Sequence, residues 1–291
     1  MIVALYLLAM FAVAWFSLHP VRTPVFFSPG LLGAPQETWE IESEGLKLRA
    51  WWLPADGATT VAVFSHGYLM NRSELSPLAY TLWRRGVSCL LLDLRAHGRS
   101  QGRKSYLGVR EAEDVAAGVR AALSAVPDAK VVLIGSSMGS AASVFAAAKE
   151  PGMAQALILD SCYSQLGDAI LGWWRLLGGR TLERLLYPTA WLAAPMAGFS
   201  PFDIDVAKSL EDVGEVPVLI LHGDSDDLAL PSHAQRNLAA CKGPAELVWF
   251  AGCGHSEGRW ERPVEYERAV LDFLARHGLI EGESSQENSR Q

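Results

Sequence analysis

Five residues, Gly135-Ser136-Ser137-Met138-Gly139, constrain this chain more than any other stretch. The run Lys130 to Ile134 ahead of them is apolar after its first residue, and the segment behind them, Ser140 to Lys149, is rich in alanine. The pattern is strand, tight turn, helix. In that setting Gly-x-Ser-x-Gly forms a nucleophile elbow, a sharp turn that strains the central serine and projects its hydroxyl from the end of a sheet. The positions around it must be small because strand and helix backbones nearly touch, and Gly135, Gly139 and Ala142 satisfy that demand. Ser137 is the expected nucleophile. The motif is not sufficient alone, since an ordinary strand-to-helix turn draws on the same residues. A base, an acid and oxyanion donors must be found elsewhere.

With 291 residues, half of them hydrophobic, the chain can bury a full core as one α/β unit. A formal charge of −7 without a basic stripe excludes a nucleic-acid partner, because phosphate would repel it. There is no P-loop, no Gly-x-Gly-x-x-Gly and no His-Glu-x-x-His, so neither a nucleotide cofactor nor a metal is expected.

Met1 to Leu18 carries no charged side chain, and the first arginine is Arg22. At about 1.5 Å per residue such a run just reaches across a hydrocarbon core. The expectation is a single-pass membrane anchor over 1–21. The alternative is a cleaved signal peptide and a secreted or periplasmic protein, since Ala12-Val13-Ala14 is an A-x-A pattern. No polar face interrupts the run, which disfavours a buried helix of the soluble fold. Flanking basic residues are too few to orient it. Cys89, Cys162, Cys241 and Cys253 lack metal spacing; Cys89 reads as core, and a Cys241 to Cys253 bridge is open to an exported domain.

After a linker over 22–38, Thr38 to Glu42 and Leu46 to Leu53 read as strands joined at Glu44-Gly45. Further strands are expected at Thr60 to Ser65, Val87 to Leu92, Lys130 to Ile134, Ala156 to Leu159, Val218 to Leu221 and Glu246 to Phe250. Helical spacing marks Ser76 to Arg85, Val109 to Val126, Ala234 to Ala240 and Pro263 to Arg276. Short apolar strands alternating with helices imply a mostly parallel eight-stranded sheet covered on both faces, with ligands at the carboxyl ends of the strands. The domain is expected over 39–278, followed by a disordered polar tail, 279–291.

A serine hydroxyl needs a neighbouring base, and histidine has the suitable pKa. Of seven histidines, His255 stands in Gly252-Cys253-Gly254-His255-Ser256, directly after the last strand, where flanking glycines can bring the ring over a neighbouring strand end. A carboxylate must fix the tautomer of that ring. Leu221-His222-Gly223-Asp224-Ser225-Asp226-Asp227 offers three, and Asp160 ends the preceding strand. Asp226 is preferred because it is far enough past the glycine to turn inward; Asp224 is placed to close the turn, and Asp227 and Asp160 remain alternatives. The oxyanion donors are expected to be backbone N–H groups of Met138, at the start of the helix after the nucleophile, and Tyr68, beyond His66-Gly67.

Taken together, His66-Gly67-Tyr68 with Asn71-Arg72, the run Asp93 to Ser100, Gly135 to Gly139, His222-Gly223 with Asp226, and Gly252-x-Gly254-His255 resemble the α/β-hydrolase superfamily, in particular its serine aminopeptidase-like and membrane-anchored acyl hydrolases. The resemblance spans roughly Trp39 to Gly278. It implies a triad of Ser137, Asp226 and His255, and gives Asp93, Arg95 and His97 a structural rather than a chemical role. The family often places a proline shortly after the acid. Here Ala229-Leu230-Pro231 shifts it by a residue, which keeps Asp227 open.

In this fold the stretch between Asp160 and Pro217 covers the site, and residues 163–215 are expected to form a helical lid. It carries Trp173, Trp174, Leu176, Leu177, Leu185, Leu186, Tyr187, Trp191, Met196 and Phe199. Either these pack the lid onto the sheet or they receive an apolar acyl group. The expected activity is a serine hydrolase cleaving small-molecule or lipid-like esters or thioesters through an acyl-enzyme. A peptidase or amidase, or a catalytically silent membrane-tethered binding module, are the alternatives. Oligomeric state leaves no signal in the sequence.

Overall fold

The computed structural model describes residues 1–281. Its strands are β1 (Glu37–Ser43), β2 (Leu46–Leu53), β3 (Thr60–Ser65), β4 (Ser88–Leu92), β5 (Lys130–Ser136), β6 (Ala156–Asp160), β7 (Val218–Gly223) and β8 (Ala245–Phe250). Its helices are α1 (Ile2–Leu18), α2 (Ser76–Trp83), α3 (Glu111–Ala125), α4 (Met138–Lys149), α5 (Leu166–Leu186), α6 (Pro188–Ala197), α7 (Val206–Val213), α8 (Pro231–Ala240), α9 (Gly258–Glu261) and α10 (Pro263–Arg276). All eight strands join one sheet in the order β1-β2-β4-β3-β5-β6-β7-β8. Strand β2 pairs antiparallel with β1 and with β4, and every pairing from β4 through β8 is parallel. The sheet is therefore mixed, with β2 alone running against the rest.

Both faces are covered because the strands are apolar at successive positions, and successive side chains point to opposite faces. Val61 and Val63 join Val115 of α3, Ala142 of α4 and Leu210 of α7 in one cluster. Ala62 and Phe64 join Leu78 and Leu82 of α2 and Val270 and Phe273 of α10 in the other. Fully burying a Val, Leu or Phe side chain stabilises by roughly 1.5–3 kcal/mol, so a one-residue slip in any central strand would forfeit several such terms. The fixed register aligns Ser65 with Gly135, Ser136 with Asp160, Asp160 with Leu221 and Gly223 with Phe250. One edge of the sheet thus presents consecutive strand ends.

The N-terminal segment departs from expectation. Among the described residues no helix is long and apolar enough to cross a membrane. Helix α1 has 17 residues, about 25 Å against a hydrocarbon core of about 30 Å. Instead it docks on the lid: Ala14 and Leu18 are buried with Ala193 and Ala197 of α6, and Met10 with Trp174 and Leu186 of α5. The Ala12-Val13-Ala14 pattern lies inside this helix, with Ala14 fully buried. The stretch read as a linker is also pinned. The Arg22 guanidinium donates to the carbonyls of His97, Gly98 and Gly102 at 3.0, 2.9 and 2.8 Å.

Within the lid, α5 breaks at Gly178 and Gly179, and an Arg175–Glu183 ion pair at 2.8 Å joins its two arms. Helix α7 belongs to the core, through buried Val206, Leu210 and Val213. All four cysteines are free thiols, so the Cys241 to Cys253 bridge does not form. At the other end Leu279 is buried and its carbonyl accepts from Thr60 Oγ1 at 2.7 Å; residues 282–291 of the expected tail lie outside the described residues.

Candidate active site

Strand β5 and helix α4 meet at Ser137, whose backbone sits at φ 49°, ψ −110°. Such a conformation costs a non-glycine residue on the order of 1–3 kcal/mol and persists only where its surroundings enforce it. Here Ser137 N–H donates to the Asp160 carbonyl at 2.8 Å, and Ser140 Oγ donates to the same oxygen at 3.0 Å. Close backbone approach explains both glycines. A Cβ on Gly135 would lie 2.4 Å from the Ser140 backbone, and one on Gly139 would lie 2.1 Å from the Ser65 carbonyl oxygen. The end of β3 is thereby pressed against the start of α4.

The loop after β8 carries His255 to the elbow. His255 Nε2 lies 2.8 Å from Ser137 Oγ, and Nδ1 lies 2.7 Å from Asp226 Oδ2. An ionised carboxylate only accepts, so the ring proton sits on Nδ1 and Nε2 accepts from the serine hydroxyl. The Asp226 side chain is fully buried, and its Oδ1 accepts from Leu228 N–H at 2.9 Å and Ala229 N–H at 2.8 Å. His222, in β7 four residues before Asp226, donates Nε2–H to the Ala229 carbonyl at 2.7 Å. Burial lowers the pKa of His222, which keeps it a neutral wall beneath the carboxylate rather than a competing charge.

The other carboxylates point elsewhere. Asp227 is exposed. Asp224 is exposed and closes the loop, accepting from Gly252 N–H at 2.7 Å. Asp160 is buried, but its Oδ2 accepts from Arg259 at 2.5 Å and Tyr266 at 3.1 Å. Ser137, Asp226 and His255 are brought together; Asp160 and Asp227 are not.

Met138 is the first residue of α4, where N–H groups have no intrahelical partner. Tyr68 follows β3 by three residues, and its peptide is aimed by its neighbours. His66 Nε2 accepts from Leu94 N–H at 3.0 Å, so Nδ1 carries the proton and donates to the Gly67 carbonyl at 2.8 Å. Met70 N–H donates to that same carbonyl at 3.1 Å. In a planar trans peptide, anchoring the Gly67 C=O turns the Tyr68 N–H the opposite way. The Tyr68 ring packs edge-on against Trp173 of the lid at 6.0 Å, and its hydroxyl donates to the Ser17 carbonyl of α1 at 2.9 Å. Burial pushes that hydroxyl up to about 12, so it stays protonated.

The Asp93 to Ser100 loop is structural in its contacts. Asp93 accepts from Arg72 N–H at 2.8 Å and Arg99 N–H at 2.7 Å, and Arg95 pairs with Asp114 at 2.7 Å. Burial, with neighbouring His66, drives His97 down to about 3, which leaves it neutral. Sequence reasoning missed Glu74 and Arg259, which form a buried ion pair beside the elbow. They are 185 positions apart, and no local pattern marks either. Among the described residues no three His, Cys, Asp or Glu side chains are grouped to hold a metal ion.

The chain has relatives. The chain is 28% identical over 242 residues to an uncharacterized protein of Mycobacterium tuberculosis, covering 82% of this chain and 78% of the other. It is 25% identical over 256 residues to the uncharacterized protein YfhR of Escherichia coli K12, covering 82% of each. A solved esterase from Pyrococcus furiosus shares the fold with a TM-score of 0.73 and 25% identity, over 89% of this chain and 98% of that one. A profile of the alpha/beta hydrolase family matches residues 62–269, from within β3 to within α10, and the chain belongs to that family.

Proposed function

We propose that the protein is a serine hydrolase acting on carboxylic esters of apolar acyl groups, with thioesters as the nearest chemical extension. The observation that carries this reading is the continuous hydrogen-bonded chain Ser137–His255–Asp226 at 2.8 and 2.7 Å. As the Ser137 oxygen attacks the ester carbonyl carbon, its proton passes to His255 Nε2, and buried Asp226 stabilises the imidazolium. Tyr68 N–H and Met138 N–H hold the oxyanion; one such donor is worth roughly 100 to 1,000-fold in kcat. Collapse breaks the bond to the leaving alkoxide, which takes the proton from His255. Water then enters by the same route in reverse and frees the acid. Similarity to the Pyrococcus furiosus esterase supports an ester over an amide. On p-nitrophenyl esters of graded chain length, turnover is expected to rise from acetate toward medium and long acyl chains. Inactivity on every ester, with cleavage of aminoacyl amides, would replace this reading with a peptidase. Silence on both would leave a binding module.

The place of action follows from the same lid. Leu5, Leu7, Leu8, Phe11, Trp15 and Phe16 of α1 are exposed, as are Leu176, Leu177, Leu185 and Trp191 of α5 and α6. Helices α1, α5 and α6 hold three arginines and two carboxylates, Asp168 and Glu183, in a chain of net charge −7. An apolar surface with basic residues, on an otherwise acidic protein, suits the headgroup region of an anionic bilayer, with α1 lying in the interface rather than spanning it. Cosedimentation with phosphatidylserine-containing vesicles is expected, weakening as salt rises, with release by alkaline carbonate. Failure to sediment with anionic vesicles at low salt would remove this placement, and resistance to carbonate would restore a spanning helix.

A further inference from the structure

Beside the elbow, around Ser136, lies a group of largely buried polar residues that the reaction just described does not use. Glu74 sits in the loop before α2 and is 5% exposed. Its Oε2 accepts from Gly67 N–H at 2.7 Å. Its Oε1 accepts from Ser136 Oγ at 3.1 Å and from Arg259 Nη2 at 2.5 Å. Arg259, in α9, donates through Nη1 to Ser136 Oγ at 3.0 Å and to Asp160 Oδ2 at 2.5 Å. Burial opposes its charge, but Glu74 and Asp160 outweigh that and hold the guanidinium firmly protonated. The Tyr266 hydroxyl completes the group on Asp160.

Each member belongs to a different piece of the site. Gly67 is the residue before Tyr68; Ser136 is the residue before Ser137; the Asp160 carbonyl receives the Ser137 N–H; and Arg259 follows His255 by four residues. The residue next to His255 is tied to the same place, since Ser256 N–H donates to Ser161 Oγ at 2.9 Å and Ser256 Oγ lies 3.4 Å from Ser136 Oγ. Two carboxylates and one guanidinium are costly to bury, and breaking such a pair strands an uncompensated charge. An apolar plug of the same volume would fill the space without that cost. What it could not do is fix these segments in direction as well as position, because apolar contacts are non-directional whereas hydrogen bonds are directional and charge-assisted ones are the short, strong kind.

We propose that Glu74 and Arg259 are positioning residues, a buried clamp that sets the oxyanion loop and the histidine loop against the nucleophile elbow. The inference rests on the serine-hydrolase reading of Ser137, His255 and Tyr68. Glu74 acts on Tyr68 through the Gly67 peptide. Gly67 N–H is held by Glu74 and Gly67 C=O by His66 and Met70, so both peptide planes flanking this glycine are fixed. Glycine is the residue whose planes would otherwise turn most freely.

Glu74→Ala and Glu74→Gln in the full chain test the clamp by separate measurement of kcat, KM and melting temperature, with hydrogen exchange followed over residues 66–72 and over β5. The alanine variant is expected to lose roughly 100-fold in kcat with KM within about twofold, the size of one misplaced oxyanion donor. Glutamine keeps one acceptor oxygen, so a loss of about tenfold is expected, by the same reasoning at partial strength. Exchange should rise over 66–72 and not over β5. Val115→Ala, a core truncation on the buried face of α3, serves as a control: a comparable loss of melting temperature there should leave kcat within about twofold, since it removes only packing. A folded Glu74→Ala enzyme with wild-type kcat, or exchange rising equally over β5, would overturn the clamp. If the alanine variant does not fold, Glu74→Gln decides by the same criteria. Wild-type labelling by a fluorophosphonate separates the two levels: labelling at Ser137 with an unaffected Glu74 variant removes only the clamp, whereas no labelling removes the reading beneath it.

Discussion

Ser137→Ala is expected to abolish ester turnover, lowering kcat on the order of 10⁶-fold, and to erase labelling by a fluorophosphonate probe. The size follows from the arrangement, since a base and an acid without the hydroxyl between them have nothing to activate. The residual rate is whatever binding and the oxyanion donors supply to water. Folding should survive the change. The strained φ of 49° is imposed by Gly135, Gly139 and the Asp160 carbonyl rather than by the hydroxyl, and alanine meets the same backbone without adding bulk. Adjacent Ser136 cannot take over the reaction. Its side chain is fully buried and its oxygen is engaged by Glu74 and Arg259. Equal labelling of the wild type and the Ser137→Ala variant would place the nucleophile elsewhere and sink the assignment.

The elbow was legible because its requirements are local. Glycine at 135 answers a contact between a strand and the helix it leads into, which sequence neighbours dictate, whereas the Ser65 carbonyl that demands glycine at 139 comes from β3 and only the motif marks that position. The strands were legible because runs such as Val131 to Ile134 are apolar on both faces, a pattern only a covered sheet accommodates. The N-terminal helix was misread for a physical reason. An uncharged segment is equally at ease against lipid or against Ala193, Ala197 and Trp174 of a lid, and hydropathy carries no record of which surface is present. Seventeen helical residues fall short of a span, but where a helix stops depends on cues such as the Leu18 carbonyl accepting from Ser105 N–H at 2.8 Å, a contact from across the fold. The Glu74–Arg259 pair was invisible for a similar reason. Buried charges are written into a sequence one at a time, and their partners are chosen by topology.

Asp226→Asn is expected to lower kcat by about 10⁴-fold while Asp227→Asn stays within about twofold of wild type. The surroundings decide which way the new amide turns. One oxygen of Asp226 is committed to two backbone donors, Leu228 N–H and Ala229 N–H, so the asparagine carbonyl is drawn to that side. Its NH₂ group is then left facing His255. An NH₂ group donates, so Nδ1 of the ring must accept, its proton moves to Nε2, and the nitrogen facing Ser137 can no longer take the hydroxyl proton. The variant keeps its shape, its hydrogen-bond count and its substrate contacts, so KM should change little and melting temperature only slightly. Loss of kcat without loss of structure separates a tautomer effect from unfolding. Asp227 lies exposed one residue on and has no such reach, so the reverse outcome, with Asp226→Asn active and Asp227→Asn inactive, would require the loop after β7 to rearrange and would overturn the choice of acid.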